Sequence, residues 1–246
     1  MKFLLILLLA MSCTTSPPRK TSYTVAQGTF WEFVNFYGID KTILGFSDDL
    51  LLQVNVLEQA GIRTVTLNDH PLTNALERKN IDAIITALPP TPQNQRLYLF
   101  SEPYFEFGLV LVTRKNSVYQ TLDDLKNREI GVERASAFAA IVQNDSYYFL
   151  RTYEDVSHAV EDLVKEKIDG VVLNSILAHR LTSGLYKGSI HIVGPPILPV
   201  GLRLVVKKGE NEALIELFNH SLTTLKEAGL YQKMLEYWGL TEISSR

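Results

Sequence analysis

A proline-rich loop follows an apolar segment in the stretch "IDAIITALPPTPQNQR" (81–96). Thr91 offers a hydroxyl, Asn94 offers an amide, and Arg96 carries a positive charge. Polar side chains at the end of a buried strand suit the binding of a small polar molecule, with Thr91 as a polar contact. Two residues rotate a helical side chain to nearly the opposite face, so Arg96 would not point with Asn94 if the segment is helical. Arg96 is interpreted as a solvated or inter-lobe charge.

Further polar residues follow later predicted strands. Arg134 and Ser136 come after "EIGVE" and could contact an anionic group, since Ser136 can cap a helix whose N–H groups face an anion. An ordinary N-cap explains Ser136 equally well. Ser136 has no histidine or acid in local range, and the five histidines show no metal-ligand spacing. The pattern favours binding over covalent chemistry, and no cofactor or metal is expected.

Alternating strands and helices must position these residues. Strands are predicted at 23–28, 63–68, 81–86, 107–115, 129–133, 148–153, 168–174 and 201–209. Helices are predicted at 48–61, 71–80, 122–127, 136–143, 156–165, 175–182, 210–228 and 230–238. The alternation predicts the α/β class, with mostly parallel sheets flanked by helices. The similar phrases "ERKNIDAIITAL" and "VKEKIDGVVLNS" favour two lobes, although any junction of a helix and a buried strand can look this way.

The N-terminus predicts export from the cytoplasm. The apolar run in "MKFLLILLLAMSC" is too short to span a bilayer and has the shape of a secretory signal over residues 1–13. Cys13 is the only cysteine, and residues 14–21 form a tether. The arrangement resembles a bacterial lipoprotein signal, with lipid on Cys13 and Ala10 where leucine is usual. Plain cleavage with a free cysteine is the alternative. The net charge of −3 argues against nucleic acid as a partner.

Several phrases resemble, in order, the extracytoplasmic solute-binding proteins of polar amino-acid ABC importers, family 3, which have the type II periplasmic-binding fold. They include "LGFSDDLL", "FSEPYFEFGLVLVTRK", "TLDDLKNREIGVE", "GLRLVVKKG" and "LKEAGLYQKMLEYWG". The resemblance implies two lobes joined by two hinge crossings, at "LVLVTRK" (109–115) and "PVGLRLV" (199–205). Lobe one would be residues 22–112 plus 203–246, and lobe two residues 113–202. A monomer would capture a small solute between the lobes and deliver it to an ABC permease in the inner membrane, anchored only by lipid.

The resemblance also implies the site. Family members grip the ligand's α-carboxylate with an arginine in the loop after the third strand, and that position is Asn94; the hydroxyl position is Pro89. The aspartate that meets the ligand's ammonium corresponds to Asn174, a neutral polar anchor. The predicted ligand-binding residues are Trp31 as an apolar contact, with Asp69, Thr91, Asn94, Arg134, Ser136 and Asn174. An amino acid or derivative is the expected ligand.

Two other function classes stay open on sequence grounds. A dehydratase or lytic enzyme on the same fold would need a general acid or base in the cleft, for which Asp69 and Glu133 are available. Recovery of a bound molecule without chemical change would argue against such an enzyme. A module outside transport, binding a protein partner or degenerate, would lack convergent polar groups in the cleft. The sequence favours the solute-binding protein over both.

Overall fold

The structure is a computed structural model that describes residues 22–28, 38–67, 72–78, 81–134, 138–139 and 147–240. Its strands are β1 (Tyr23–Gly28), β2 (Ile62–Leu67), β3 (Ala83–Thr86), β4 (Tyr98–Phe100), β5 (Phe105–Arg114), β6 (Glu129–Glu133), β7 (Phe149–Tyr153), β8 (Gly170–Asn174) and β9 (Ile190–Lys207). Its helices are α1 (Asp40–Glu58), α2 (Leu72–Glu77), α3 (Asn94–Leu97), α4 (Val156–Val164), α5 (Ser175–Ser183), α6 (Glu212–Glu227) and α7 (Leu230–Tyr237), with a 3₁₀ turn at Asp123–Leu125.

The strands form two sheets that share β9. In the first sheet β1 pairs in parallel with β2 and β3, while the end of β9 runs antiparallel between β3 and β4. In the second sheet β6 pairs in parallel with β7 and β8, and β5 lies antiparallel between β8 and the first part of β9. The pairings of β1 and β6 with their neighbours are therefore parallel, and every pairing that involves β5 or β9 is antiparallel.

β9 passes from one sheet to the other over two residues. Leu202 still pairs with Phe105 of β5, and Arg203 already pairs with Thr86 of β3. β4 and β5 run in the same direction along β9, so the chain crosses between the sheets twice. The α/β class, the two sheets, the number of crossings and the crossing within "PVGLRLV" are confirmed. The first crossing lies between β4 and β5 rather than at "LVLVTRK" (109–115), because β5 pairs along its whole length within the second sheet. The lobe boundaries at 112/113 and 202/203 stay predictions.

The repeated Ile-Asp phrase makes the same contact in both sheets. Asp82 accepts a hydrogen bond from the N–H of Thr24 at 2.8 Å and donates its own N–H to the Thr24 carbonyl. Asp169 likewise accepts from the N–H of Glu129 at 3.1 Å and donates to the Glu129 carbonyl. Each aspartate thus ties the start of a returning strand to the neighbouring strand, which explains why the phrase occurs once per sheet.

Each sheet has helices packed on it. Under the first sheet, α1 buries Ile43, Phe46, Leu50 and Val54, a three-to-four-residue spacing that places them on one face. The ring of Phe46 lies 5.9–6.1 Å from three other aromatic rings, those of Tyr104, Phe105 and Tyr231. In the second sheet, successive residues of β5 alternate between two apolar clusters, so that both faces of this sheet are covered.

Three predicted elements were wrong in extent or type. Helix α1 begins at Asp40 rather than 48, and Ser47 lies inside it with its hydroxyl donating to the Ile43 carbonyl. β9 begins at Ile190 rather than 201, because residues 194–197 bulge opposite a register shift in β5 and pairing resumes before them. The helix expected at 122–127 is a single 3₁₀ turn. Most of the helix expected at 136–143 lies outside the described residues.

Candidate functional site

The loop after β3 is held in shape by its own polar groups. Thr86 accepts a hydrogen bond from the N–H of Leu88 at 3.1 Å, and Thr91 accepts from the N–H of Asn94 at 3.2 Å. The Asn94 Nδ2 donates to the Pro89 carbonyl at 2.8 Å. The amide at the family's arginine position therefore braces the loop and brings no charge to a ligand.

Arg96 lies in the last turn of the short helix α3 and is exposed. Because α3 is helical at this point, Arg96 and Asn94 point in different directions, as expected from their spacing of two. The loop therefore does not offer Arg96 as a direct replacement for the missing clamp.

The end of β6 carries an arginine that already has a partner. The backbone N–H of Arg134 donates to the Tyr153 carbonyl at 2.9 Å, and its Nη2 lies 2.8 Å from Glu154 Oε1. The two side chains are 65% and 72% exposed. Exposed ion pairs typically contribute about 0–1 kcal/mol, so a ligand carboxylate could compete with Glu154 for Arg134 at little cost. Glu133, the acid considered for catalysis, is exposed at the end of the same strand.

Asn174 ends β8 and begins α5. Its Oδ1 accepts a hydrogen bond from the N–H of Ile176 at 2.9 Å, which makes it the N-cap of α5. An asparagine has one carbonyl oxygen with two acceptor positions, and the cap uses one of them. The NH₂ group is a donor, so it cannot receive a hydrogen bond from a ligand ammonium. Asn174 therefore offers a weaker acceptor at this position than a carboxylate would.

A buried polar residue lies near the end of β1. Gln27 is 1% exposed, and its Nε2 donates to Asp48 Oδ1 on α1 at 2.7 Å. This bond fixes the end of β1 against α1, directly before the segment 29–37 that contains Trp31. Trp31, Asp69, Ser136 and Cys13 lie outside the described residues, so their predicted roles stay predictions.

Sequence reasoning overlooked Arg203, which the structure places beside Thr86 at the end of β3. The sequence pattern places Arg203 within the predicted strand 201–209 and assigns it no contact with a ligand. The signal was a charged residue between two leucines in "GLRLVV", since a strand buried on both faces rarely carries a charge without a reason. Within the described part of the chain, no group of three or more His, Cys, Asp or Glu residues is arranged to hold a metal ion.

Comparison with known proteins agrees with this architecture. The family profile of the bacterial extracellular solute-binding proteins, family 3, matches residues 24–241, which include both sheets and both crossings. The chain belongs to this family. The family assignment and the type II periplasmic-binding fold predicted from the sequence are confirmed.

Relatives of this family-3 protein include the ABC transporter arginine-binding protein 1 of Escherichia coli K12. It is 29% identical over 208 residues, which cover 82% of this chain and 84% of the relative. The arginine-binding periplasmic protein of Mannheimia haemolytica is 27% identical over 203 residues, covering 80% of this chain and 82% of the relative.

Among the described residues of the family-3 protein, no helix is both long and apolar enough to cross a membrane.

Solved structures share the fold along nearly their whole length. The unliganded, open L-cystine solute receptor of Neisseria gonorrhoeae matches with a TM-score of 0.71 at 20% identity, covering 92% of this chain and 96% of that one. An ancestral arginine-binding protein bound to arginine matches with a TM-score of 0.53 at 25% identity, covering 90% and 99%. The family-3 protein therefore has the two-lobed fold of known solute receptors.

Proposed function

We propose that this protein is the extracytoplasmic binding component of an ABC importer, which captures an amino acid or a derivative between its lobes and delivers it to a membrane permease. The observation that carries the proposal is the family match across residues 24–241, over two sheets joined by two crossing strands. Relatives named as arginine-binding proteins support an amino acid as the solute. The proposed role is binding and transport, without covalent chemistry.

The solute is proposed to contact both sheets where their strands end. The proposed contacts are Trp31, Asp69, Thr91 and Asn94 from lobe one, and Arg134, Ser136 and Asn174 from lobe two. Thr91 and Asn94 stand on a loop that is already braced by internal hydrogen bonds, so lobe one offers a preformed surface. Lobe two contributes the Arg134 guanidinium for an anionic group, once it leaves Glu154.

The ligand itself is the direct test of this function. Mass spectrometry of small molecules released from the purified protein, followed by calorimetry with the twenty amino acids, should identify one that binds and is recovered unchanged. Recovery of a chemically altered product would instead favour an enzyme on the same fold. The absence of any bound amino acid would reject amino-acid capture.

Hinge closure is expected to accompany binding. The chain connects the two sheets between β4 and β5 and again within β9, so a ligand held by both sheets should bring them together. The amino acid that binds should reduce the radius of gyration in small-angle scattering, and at 100 times its Kd it should stabilise the native state by about 2.7 kcal/mol through linkage. Tight binding with an unchanged radius of gyration would contradict closure.

Lipid anchoring is proposed to depend on Cys13, the only cysteine of the chain and the last residue of the predicted signal. Metabolic labelling with a palmitate analogue should label the wild type, while Cys13→Ala should remain unlabelled and leave the membrane fraction. Ser16→Ala, which changes the tether and keeps both the signal and the cysteine, is the control and should still be labelled. Equal labelling of the wild type and Cys13→Ala would refute the lipid anchor and favour plain cleavage.

A further inference from the structure

Arg203 is a half-buried cation at the junction of the two sheets. It is the residue at which β9 leaves β5 and begins to pair with β3. Its cross-strand partner is Thr86, the last residue of β3, and directly paired residues project from the same face of a sheet. The Arg203 side chain therefore begins beside the base of the loop at 87–93, which is proposed to hold the solute.

Among the described residues, the Arg203 guanidinium has one hydrogen-bond acceptor. Its Nη1 donates to the Ser101 carbonyl at 2.7 Å. Over the described ranges of the chain, none of the ion pairs within 4.0 Å includes Arg203, whereas Arg134 is paired with Glu154 and Arg151 with Glu129. A guanidinium has five N–H donors, and a partly buried charge without a counter-ion is costly. Within the described part of the chain, Arg203 therefore has donors left for an anion at the junction.

We infer that Arg203 anchors the carboxylate of the solute from lobe one. The inference rests on the proposed function for the position of the solute between the lobes. An arginine can clamp a carboxylate through two parallel charge-assisted hydrogen bonds. Arg203 would thereby supply the charge that the resemblance places at position 94, where the Asn94 amide is bonded to the Pro89 carbonyl. The recognised ligand class is a molecule with a free carboxylate.

Calorimetry with the amino acid that binds the wild type tests this anchor. Arg203→Gln should weaken binding at least about tenfold, because a charge-assisted hydrogen bond is lost. The Kd of Arg203→Lys should lie between those of the wild type and Arg203→Gln, since lysine keeps the charge and loses the planar fork. The amide of the same amino acid, which lacks the carboxylate, should bind the wild type at least about tenfold more weakly.

Arg96→Gln is the matched control, because Arg96 is an exposed arginine near the same loop, and its Kd should equal that of the wild type. Melting temperatures without ligand show whether Arg203→Gln is folded. An unchanged Kd in Arg203→Gln, or equal binding of acid and amide by the wild type, would overturn the anchor.

The anchor can also be separated from the proposed function. If no amino acid binds the wild type, amino-acid capture fails, and acetate and succinate then serve as probes of Arg203. Either anion should raise the melting temperature of the wild type and not that of Arg203→Gln. No rise in the wild type, or an equal rise in both proteins, would overturn the anchor as well.

Discussion

Replacing Gly108 with alanine is expected to lower the free energy of unfolding by about 3 kcal/mol or more, one of the larger effects of a single methyl group. Gly108 lies in β5 opposite Pro199 of β9. A Cβ at this position would overlap the carbonyl oxygen of Leu198 and would lie 3.1 Å from the Pro199 Cα. Both obstacles are backbone atoms, so relief requires the two crossing strands to separate locally.

Urea unfolding of the full chain measures the loss of unfolding free energy. In thermal unfolding, the melting temperature should fall by about 6–12 °C for a chain of this size. Glu106→Ala is the matched control, since Glu106 is exposed two residues earlier on the same strand. It should stay within about 0.5 kcal/mol of the wild type. A Gly108→Ala protein as stable as this control would show that β5 and β9 are not packed as closely as the structure indicates.

Replacing Asn174 with aspartate is expected to tighten amino-acid binding by about 10- to 100-fold, the value of one added charge-assisted hydrogen bond. Aspartate caps helices as well as asparagine does, so one carboxylate oxygen can keep the hydrogen bond to the N–H of Ile176. The second oxygen then provides an anionic acceptor for the ligand ammonium. The change therefore adds charge at the end of β8 without removing the start of α5.

Calorimetry with an amino acid and its N-acetyl derivative separates this cause from others. The N-acetyl derivative has no ammonium, so its affinity for Asn174→Asp should not increase. Asn174→Ser is the control variant, because serine also caps the helix but remains neutral at this position. If Asn174→Asp binds both ligands more tightly by the same factor, or neither of them more tightly, the ammonium does not lie beside Asn174.

The sequence predicted most elements because their periodic patterns and end signals are local. β1 and β6 have the predicted bounds, and α4 and α5 end within one residue of the expected positions. The N-terminal half of α1 was missed because Gly45 and Ser47 weaken the helical pattern. The glycine has a tertiary explanation, because a Cβ on Gly45 would overlap the indole of Trp238. This indole also donates its Nε1–H to Asp49 of the same helix at 2.9 Å.

The first part of β9 was missed for a related reason. Gly194, Pro195, Pro196 and Pro199 are residues that normally mark loops. Gly194 has a φ of +67°, and residues 194–197 bulge out of the pairing with β5. The partner strand, which the local sequence does not encode, extends the strand back to Ile190.

The sequence located the strand ends that carry the predicted site, but not the contacts of the charged groups there. The loop after β3 and the ends of β6 and β8 could be located from strand patterns, since ligand groups gather where parallel strands end. The pairing of Arg134 with Glu154 joins residues from neighbouring strands, and the position of Arg203 beside Thr86 depends on strand register. Neither contact is visible in the spacing of residues along the chain.

The late position of β9 has a consequence for the growing chain. The first sheet receives its strand between β3 and β4 only when residues 203–207 have been made. Its apolar cluster also unites Tyr23 and Ile43 with Phe218 and Leu240, from opposite ends of the described chain. Such contacts between distant residues form slowly. A nascent chain that has not yet reached α6 therefore lacks part of the core of the first sheet, whereas all strands of the second sheet have been made by residue 202.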